Sequence, residues 1–100
     1  MSQEVYKKAI ETWGSAAQIE MMIEECSELT QAIQKLKRSY YSNDDERIAE
    51  ANTHVCEELA DVNIMLEQMM FVFDSAKISN FKEAKIERLK GRIEKSTNKK

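Results

Sequence analysis

Two short acidic strings, EECSEL at 24–29 and EELADV at 57–62, hold the side chains in this sequence best suited to chemistry. Each contains two acids spaced three residues apart: Glu25 with Glu28, and Glu58 with Asp61. On a helix, residues at that spacing share a face. Oxygen-only donors that converge select a hard cation, Mg²⁺ first and Mn²⁺ as a substitute. Two carboxylates about 5 Å apart repel by roughly 3 kcal/mol at an effective dielectric near 20. Convergence therefore calls for proton uptake, a splaying of the helices or a cation. One string alone decides nothing, because a bundle flank is an ordinary place for solvated glutamate. The repeat of the pattern, with no lysine among the four acids, is the stronger signal.

What positions these acids is read from the apolar spacing. Ile19, Met22, Cys26, Leu29, Ile33, Leu36 and Tyr40 alternate steps of three and four, as do Val55, Leu59, Val62, Leu66, Met69 and Phe73. Both runs read as the seam of a supercoiled helix pair. In heptad terms Cys26 and Leu59 take a, Leu29 and Val62 take d, Glu25 and Glu58 take g, and Glu28 and Asp61 take c. Antiparallel packing sets g flank against g flank. Measured from a turn near Ser42, the two acid pairs differ in height by roughly 3 Å at about 1.5 Å per residue. The four carboxylates are expected to converge.

The whole chain reads as an all-α, four-helix bundle with two long antiparallel central helices. The first helix spans about 3–12 and stops at Gly14 in WGS. Ser15 and Gln18 match a capping box that opens the second helix, which runs to about Ser39. YYSNDD forms the turn, and Asn43 with Glu46 three residues later is expected to cap the third helix, which ends near Phe73. DSAKISN separates it from a fourth at about 81–94. The absence of proline and the presence of only two glycines agree with long helices.

One hundred residues predict a single domain over 1–100, with about 95–100 as a frayed basic tail. A net charge of −3 argues against a nucleic-acid partner. No apolar run approaches the roughly 20 residues of a membrane span, and the N-terminus is not a signal peptide. Cys26 and Cys56 read as two buried, reduced thiols of a cytoplasmic protein. A single histidine makes a nitrogen–sulfur zinc site improbable. A di-iron carboxylate bundle is set aside, because it needs ExxH and Ala51 stands three residues before His54.

The paired strings, on two paired helices, resemble the EExxE…ExxD signature of the MazG-like all-α nucleoside triphosphate pyrophosphohydrolases. The likeness runs from about Trp13 to Arg92. It implies a Mg²⁺-dependent hydrolase that cleaves a nucleoside triphosphate between the α and β phosphates to a monophosphate and pyrophosphate. By position it makes Glu25, Glu28, Glu58 and Asp61 metal ligands, with Glu24 and Glu57 as the leading acids. A carboxylate not committed to metal would serve as general base, Glu24 or Glu25. AKIERLKGRI resembles the family's basic segment, with Lys85 and Arg88 as phosphate ligands and Lys82 and Arg92 a turn to either side.

Trp13 and Gln18 precede the first acidic string and suit base stacking and base hydrogen bonding, while a core plug and a helix cap are their structural alternatives. Asn63 reads as a buried polar contact or a contact to a neighbouring subunit, and His54, one turn before Glu58, as a surface or a site residue. Met65, Met69, Met70, Phe71 and Phe73 give more apolar surface than one thin layer of helices buries, so a homodimer or homotetramer is expected, as the resemblance also implies. Two other functions fit the same residues: a phosphoribosyl-ATP pyrophosphohydrolase-like enzyme, and a non-catalytic helical dimerisation or regulatory protein.

Overall fold

The computed structural model describes residues 2–98. Four helices follow in order: α1 (Ser2–Trp13), α2 (Ser15–Ser39), α3 (Asp45–Val72) and α4 (Ser75–Asn98), with no strand among the described residues. The all-α architecture matches the sequence reading. Helices α2 and α3 form the main contact, α1 packs against both, and α4 packs on α3 alone with none of its residues buried. The radius of gyration is 17.8 Å, against about 13 Å for a compact chain of this length. The chain is thus a helical hairpin with one short helix laid on it and one long helix standing clear.

Gly14 makes the α1–α2 corner. Its φ of 88° and ψ of 155° lie in a region that essentially only glycine enters without strain. The expected Ser15–Gln18 capping box does not form. Gly14 itself is the N-cap, no side chain caps the helix, and the Gln18 N–H donates to the Gly14 carbonyl at 3.2 Å. The α2–α3 turn also differs by one residue from the expectation. Asn43 takes a left-handed φ of 55°, and Asp44 is the cap, its Oδ1 accepting from the N–H groups of Glu46 and Arg47 at 3.1 and 3.2 Å. Helix α4 begins at Ser75 rather than near Phe81, because Asp74 accepts from the Lys77 N–H at 3.1 Å and starts the helix within DSAKISN. It continues through 95–98, where the sequence reading placed the tail; residues 99 and 100 lie outside the described residues.

The most informative difference is the seam. The buried and half-buried positions are 17, 18, 19, 22, 25, 26, 29, 32, 36 and 39 on α2, and 48, 51, 55, 58, 62, 65, 68, 69, 70 and 72 on α3. Ile19, Met22, Cys26, Leu29, Leu36, Val55, Val62 and Met69 keep their expected places. At the alternate steps the seam is one residue earlier than the apolar pattern indicates. It takes Ala32 rather than Ile33, Ser39 rather than Tyr40, Glu58 rather than Leu59 and Met65 rather than Leu66. Glu25 is half-buried alongside Cys26, while Cys56, expected to be buried, is exposed. Ala32, Ser39 and Ala51 are small, so the backbones can approach closely near the turn. Ser39, 1% exposed, satisfies its hydroxyl on the Leu36 carbonyl at 2.6 Å. Ile33, Leu59, Leu66 and Phe73 are left half exposed to one side.

Candidate functional site

The seam register turns two acids inward. Glu25 of α2 and Glu58 of α3 face each other, and Asp61 stands one turn beyond Glu58. One carboxylate oxygen from each of the three lies within 4.8 Å of the others. Glu58 is buried, Glu25 is half-buried and Asp61 is exposed, so the cluster is closed by protein on one side and open to solvent on the other. Glu28 stands outside this triad, but its charge acts on both Glu25 and Glu58.

The electrostatics are unbalanced. Glu25 holds its proton above the ordinary carboxylate range, first through burial, then through the charges of Glu28, Asp61, Glu58 and Glu24. Glu58 is raised in the same way, by burial and then by Glu28 and Asp61, against an opposite pull from His54. The Glu58 Oε1 lies 3.9 Å from His54 Nε2. The Oε2 atoms of Glu25 and Glu58 are shielded from solvent and have no hydrogen-bond partner. The only other ion pair among the described residues is Lys90–Glu87 on α4. Shielded oxygens without partners leave a desolvation cost uncompensated, and clustered negative charge adds to it. A hard divalent cation offsets both, and an oxygen-only donor set open on one side fits such an ion and leaves room for water and phosphate. Glu25, Glu58 and Asp61 are the residues whose oxygens meet there, and Glu28 stands beside them.

Toward the α1 corner, a cavity of about 610 Å³ is lined by Trp13, Gln18, Glu24, Met65 and Gln68 among others. Trp13 is 66% exposed, so it is not a core plug. Gln18 and Gln68 are buried, and the Gln68 Oε1 has no partner. Gln68 was missed in the sequence. Its signal is a glutamine three residues after Met65 and seven after Asp61, on their face, within the largely apolar NIMLEQMMF. Glu24 borders this cavity, whereas Glu57 lines a surface recess walled by α3 alone. Asn63 is exposed.

Toward the α2–α3 turn, a second cavity, of about 460 Å³, is shared by Glu28, Glu58, Lys35, Arg38 and His54. Lys35 and Arg38 also escaped the sequence reading, although the spacing 28, 31, 35, 38 marks one face of α2. Lys85 and Arg88 are exposed on α4, which makes no contact with α2, and they line neither cavity beside the acids. Within one chain the structure does not bring them to the acids.

No described helix is long and apolar enough to cross a membrane. The model of the MazG nucleotide pyrophosphohydrolase domain family matches residues 14–95. Among the curated proteins and the solved structures, nothing matches the chain.

Proposed function

The chain belongs to the MazG nucleotide pyrophosphohydrolase domain family, and from that membership we propose that it is a Mg²⁺-dependent hydrolase of nucleoside triphosphates. It cleaves between the α and β phosphates and releases a nucleoside monophosphate and pyrophosphate. The observation that carries this reading is the meeting of Glu25, Glu58 and Asp61 within 4.8 Å, with two shielded carboxylate oxygens left without a partner. Carboxylates held together in this way, without lysine or arginine, are arranged for a cation rather than for each other.

Glu25, Glu28, Glu58 and Asp61 hold the ion, with Mn²⁺ as an acceptable substitute. When bound, the ion supplies positive charge for the phosphate oxygens and eases deprotonation of a water. The remaining work belongs to the chain's own side chains. Glu24, exposed beside the cluster at the mouth of the Trp13 cavity, takes the proton from the attacking water; Glu25 is the alternative base. Trp13 offers an aromatic face to the base, and the buried amides of Gln18 and Gln68 present donors and acceptors to its edge. Lys85 and Arg88 serve the phosphates only from the α4 of a second copy. Such a copy is supported by the exposed Ile33, Leu59, Leu66 and Phe73 of the hairpin and by Ile78, Phe81, Leu89 and Ile93 of α4. We read the working form as a homodimer or homotetramer.

The direct test is pyrophosphate release across a panel of canonical and modified nucleotides, with and without Mg²⁺, beside E25Q/E28Q. Metal-dependent release that the double substitution abolishes is the expected result. Activity that survives it unaltered removes the metal assignment.

A further inference from the structure

We propose that Lys35 and Arg38 bind the β,γ-diphosphate of the substrate and hold it as it departs as pyrophosphate. The proposal rests on the pyrophosphohydrolase reading above. It gives the site a cationic end within a single chain.

Three observations carry it. The first is the cavity of about 460 Å³ that Lys35 and Arg38 share with Glu28, Glu58 and His54. The second is that these opposite charges do not neutralise one another. A helical ion pair with Glu28 would need a cation three or four residues on, and those positions are Gln31 and Ala32. Arg38 lies ten residues from Glu28, about 15 Å along the helix. Among the described residues neither Lys35 nor Arg38 is in an ion pair. One groove therefore presents unmatched negative charge at one end and unmatched positive charge at the other. A divalent ion carrying a polyphosphate has the complementary polarity.

The third observation is order along the hairpin. On α2 the sequence of groups is Gln18, then Glu25 and Glu28, then Lys35 and Arg38. On α3, read in the reverse direction, it is Gln68, then Asp61 and Glu58, then His54. The Trp13 cavity thus lies on one side of the acids and the cations on the other. A nucleotide with its base at Trp13 and its α phosphorus at the acids extends its β and γ phosphates toward Lys35 and Arg38. Water forms a bond to the α phosphorus, the bond from that phosphorus to the bridging oxygen breaks, and the electron pair leaves on pyrophosphate. Charge grows where the two cations stand. A guanidinium grips phosphate oxygens bidentately and an ammonium adds a point charge.

The test is calorimetric binding of inorganic tripolyphosphate, a probe with no base, with and without Mg²⁺. It compares the wild-type chain with K35A/R38A, K35R/R38K, K85A/R88A and E25Q/E28Q. K35A/R38A is expected to weaken tripolyphosphate binding about 10-fold or more and to leave nucleoside monophosphate binding unchanged. K35R/R38K is expected to keep most of the affinity, which separates charge from folding. No binding by the wild type, or affinity unchanged in K35A/R38A, overturns the proposal, as does a loss confined to K85A/R88A. The parent reading fails separately, if E25Q/E28Q leaves Mg²⁺-dependent pyrophosphate release intact.

Discussion

On one flank of the α2–α3 hairpin lie Glu28, Lys35, Arg38, His54 and Asp61; on the other lie Ile33, Tyr40, Leu59, Leu66 and Phe73, each between 47% and 57% exposed. Both flanks border the same seam, at about 100° per residue to either side of it. The seam is too thin to satisfy either. Its buried apolar residues are Ala32, Ala51, Val62, Met65 and Met69, three of them medium-sized at most. A hairpin with so small a core leaves its apolar flank in need of protein and its polar flank in need of ions. The acids stand at the boundary between the two, where burial strengthens charge interactions and solvent still has access.

Neutralising the acids breaks the polar flank first. E25Q/E28Q is expected to lower pyrophosphate release by roughly 10²–10³-fold, and E24Q to lower kcat by about 10²-fold through loss of the base. The metal-free E25Q/E28Q protein is expected to melt higher than the metal-free wild type, since it loses the mutual repulsion of the cluster. Activity and stability moving in opposite directions identify acids held for a ligand. A double variant that lost both would instead be a damaged fold.

The apolar flank is broken by charge. L66E is expected to shift the protein from an oligomer to a single-chain mass in sedimentation, at unchanged helical content by circular dichroism. A wild type that already sediments as a single chain would leave the apolar flank uncovered and remove the contrast. L59S, which removes apolar area without adding charge, is expected to weaken association less than L66E.

How far these flanks were legible follows from the same residues. Heptad counting found Met22, Leu29, Leu36, Val55, Val62 and Met69, because all six lie where either register would place them. It puts Leu59 inside in place of Glu58, and Cys26 inside without Glu25 where both are half-buried, because an apolar template assigns the greasier neighbour to the interior. The sequence pattern therefore sets these acids on the flank of the seam; of the four carboxylates it expects to converge, Glu25, Glu58 and Asp61 do, and Glu28 stands outside. Lys35 and Arg38 were invisible for a related reason. A lysine and an arginine near the end of a long helix resemble any solvated, dipole-compatible face, and only their shared cavity with Glu28 and Glu58 sets them apart. The resemblance drew attention instead to Lys85 and Arg88, on a helix that stands clear of the acids. Gly14 was legible as a break; that it would also replace the capping box was not, because Ser15 looks like the better cap.

Acidity separates the flanks more gently. Glu25 and Glu58 have raised proton affinity in the folded state, so the folded state takes up protons more readily than the unfolded chain. By linkage, metal-free stability is highest while both are protonated. It falls as pH rises from the ordinary carboxylate value of 4.5 through the raised folded values. The melting temperature in chelator is expected to be higher near pH 5 than near pH 7.5, and added Mg²⁺ to stabilise more at the higher of the two. L66E is expected to keep this pH profile, because none of the titrating groups lies on the apolar flank. Loss of the profile in E25Q/E28Q but not in L66E assigns it to the acids.

The smallest effect is expected at Glu57. In the sequence it is the counterpart of Glu24, each the leading acid of its string. In the structure they part: Glu24 borders a cavity that includes Met65 and Gln68 of α3, while the recess beside Glu57 is walled by α3 alone. Glu57 adds only the last of the charges that raise Glu58. E57Q is therefore expected to stay within about 0.5 kcal/mol of wild-type stability, as surface substitutions do, and within about twofold in kcat. E57Q losing as much activity as E24Q would mean that the second string works through its first acid too, and the polar flank would have to extend around the outer face of α3.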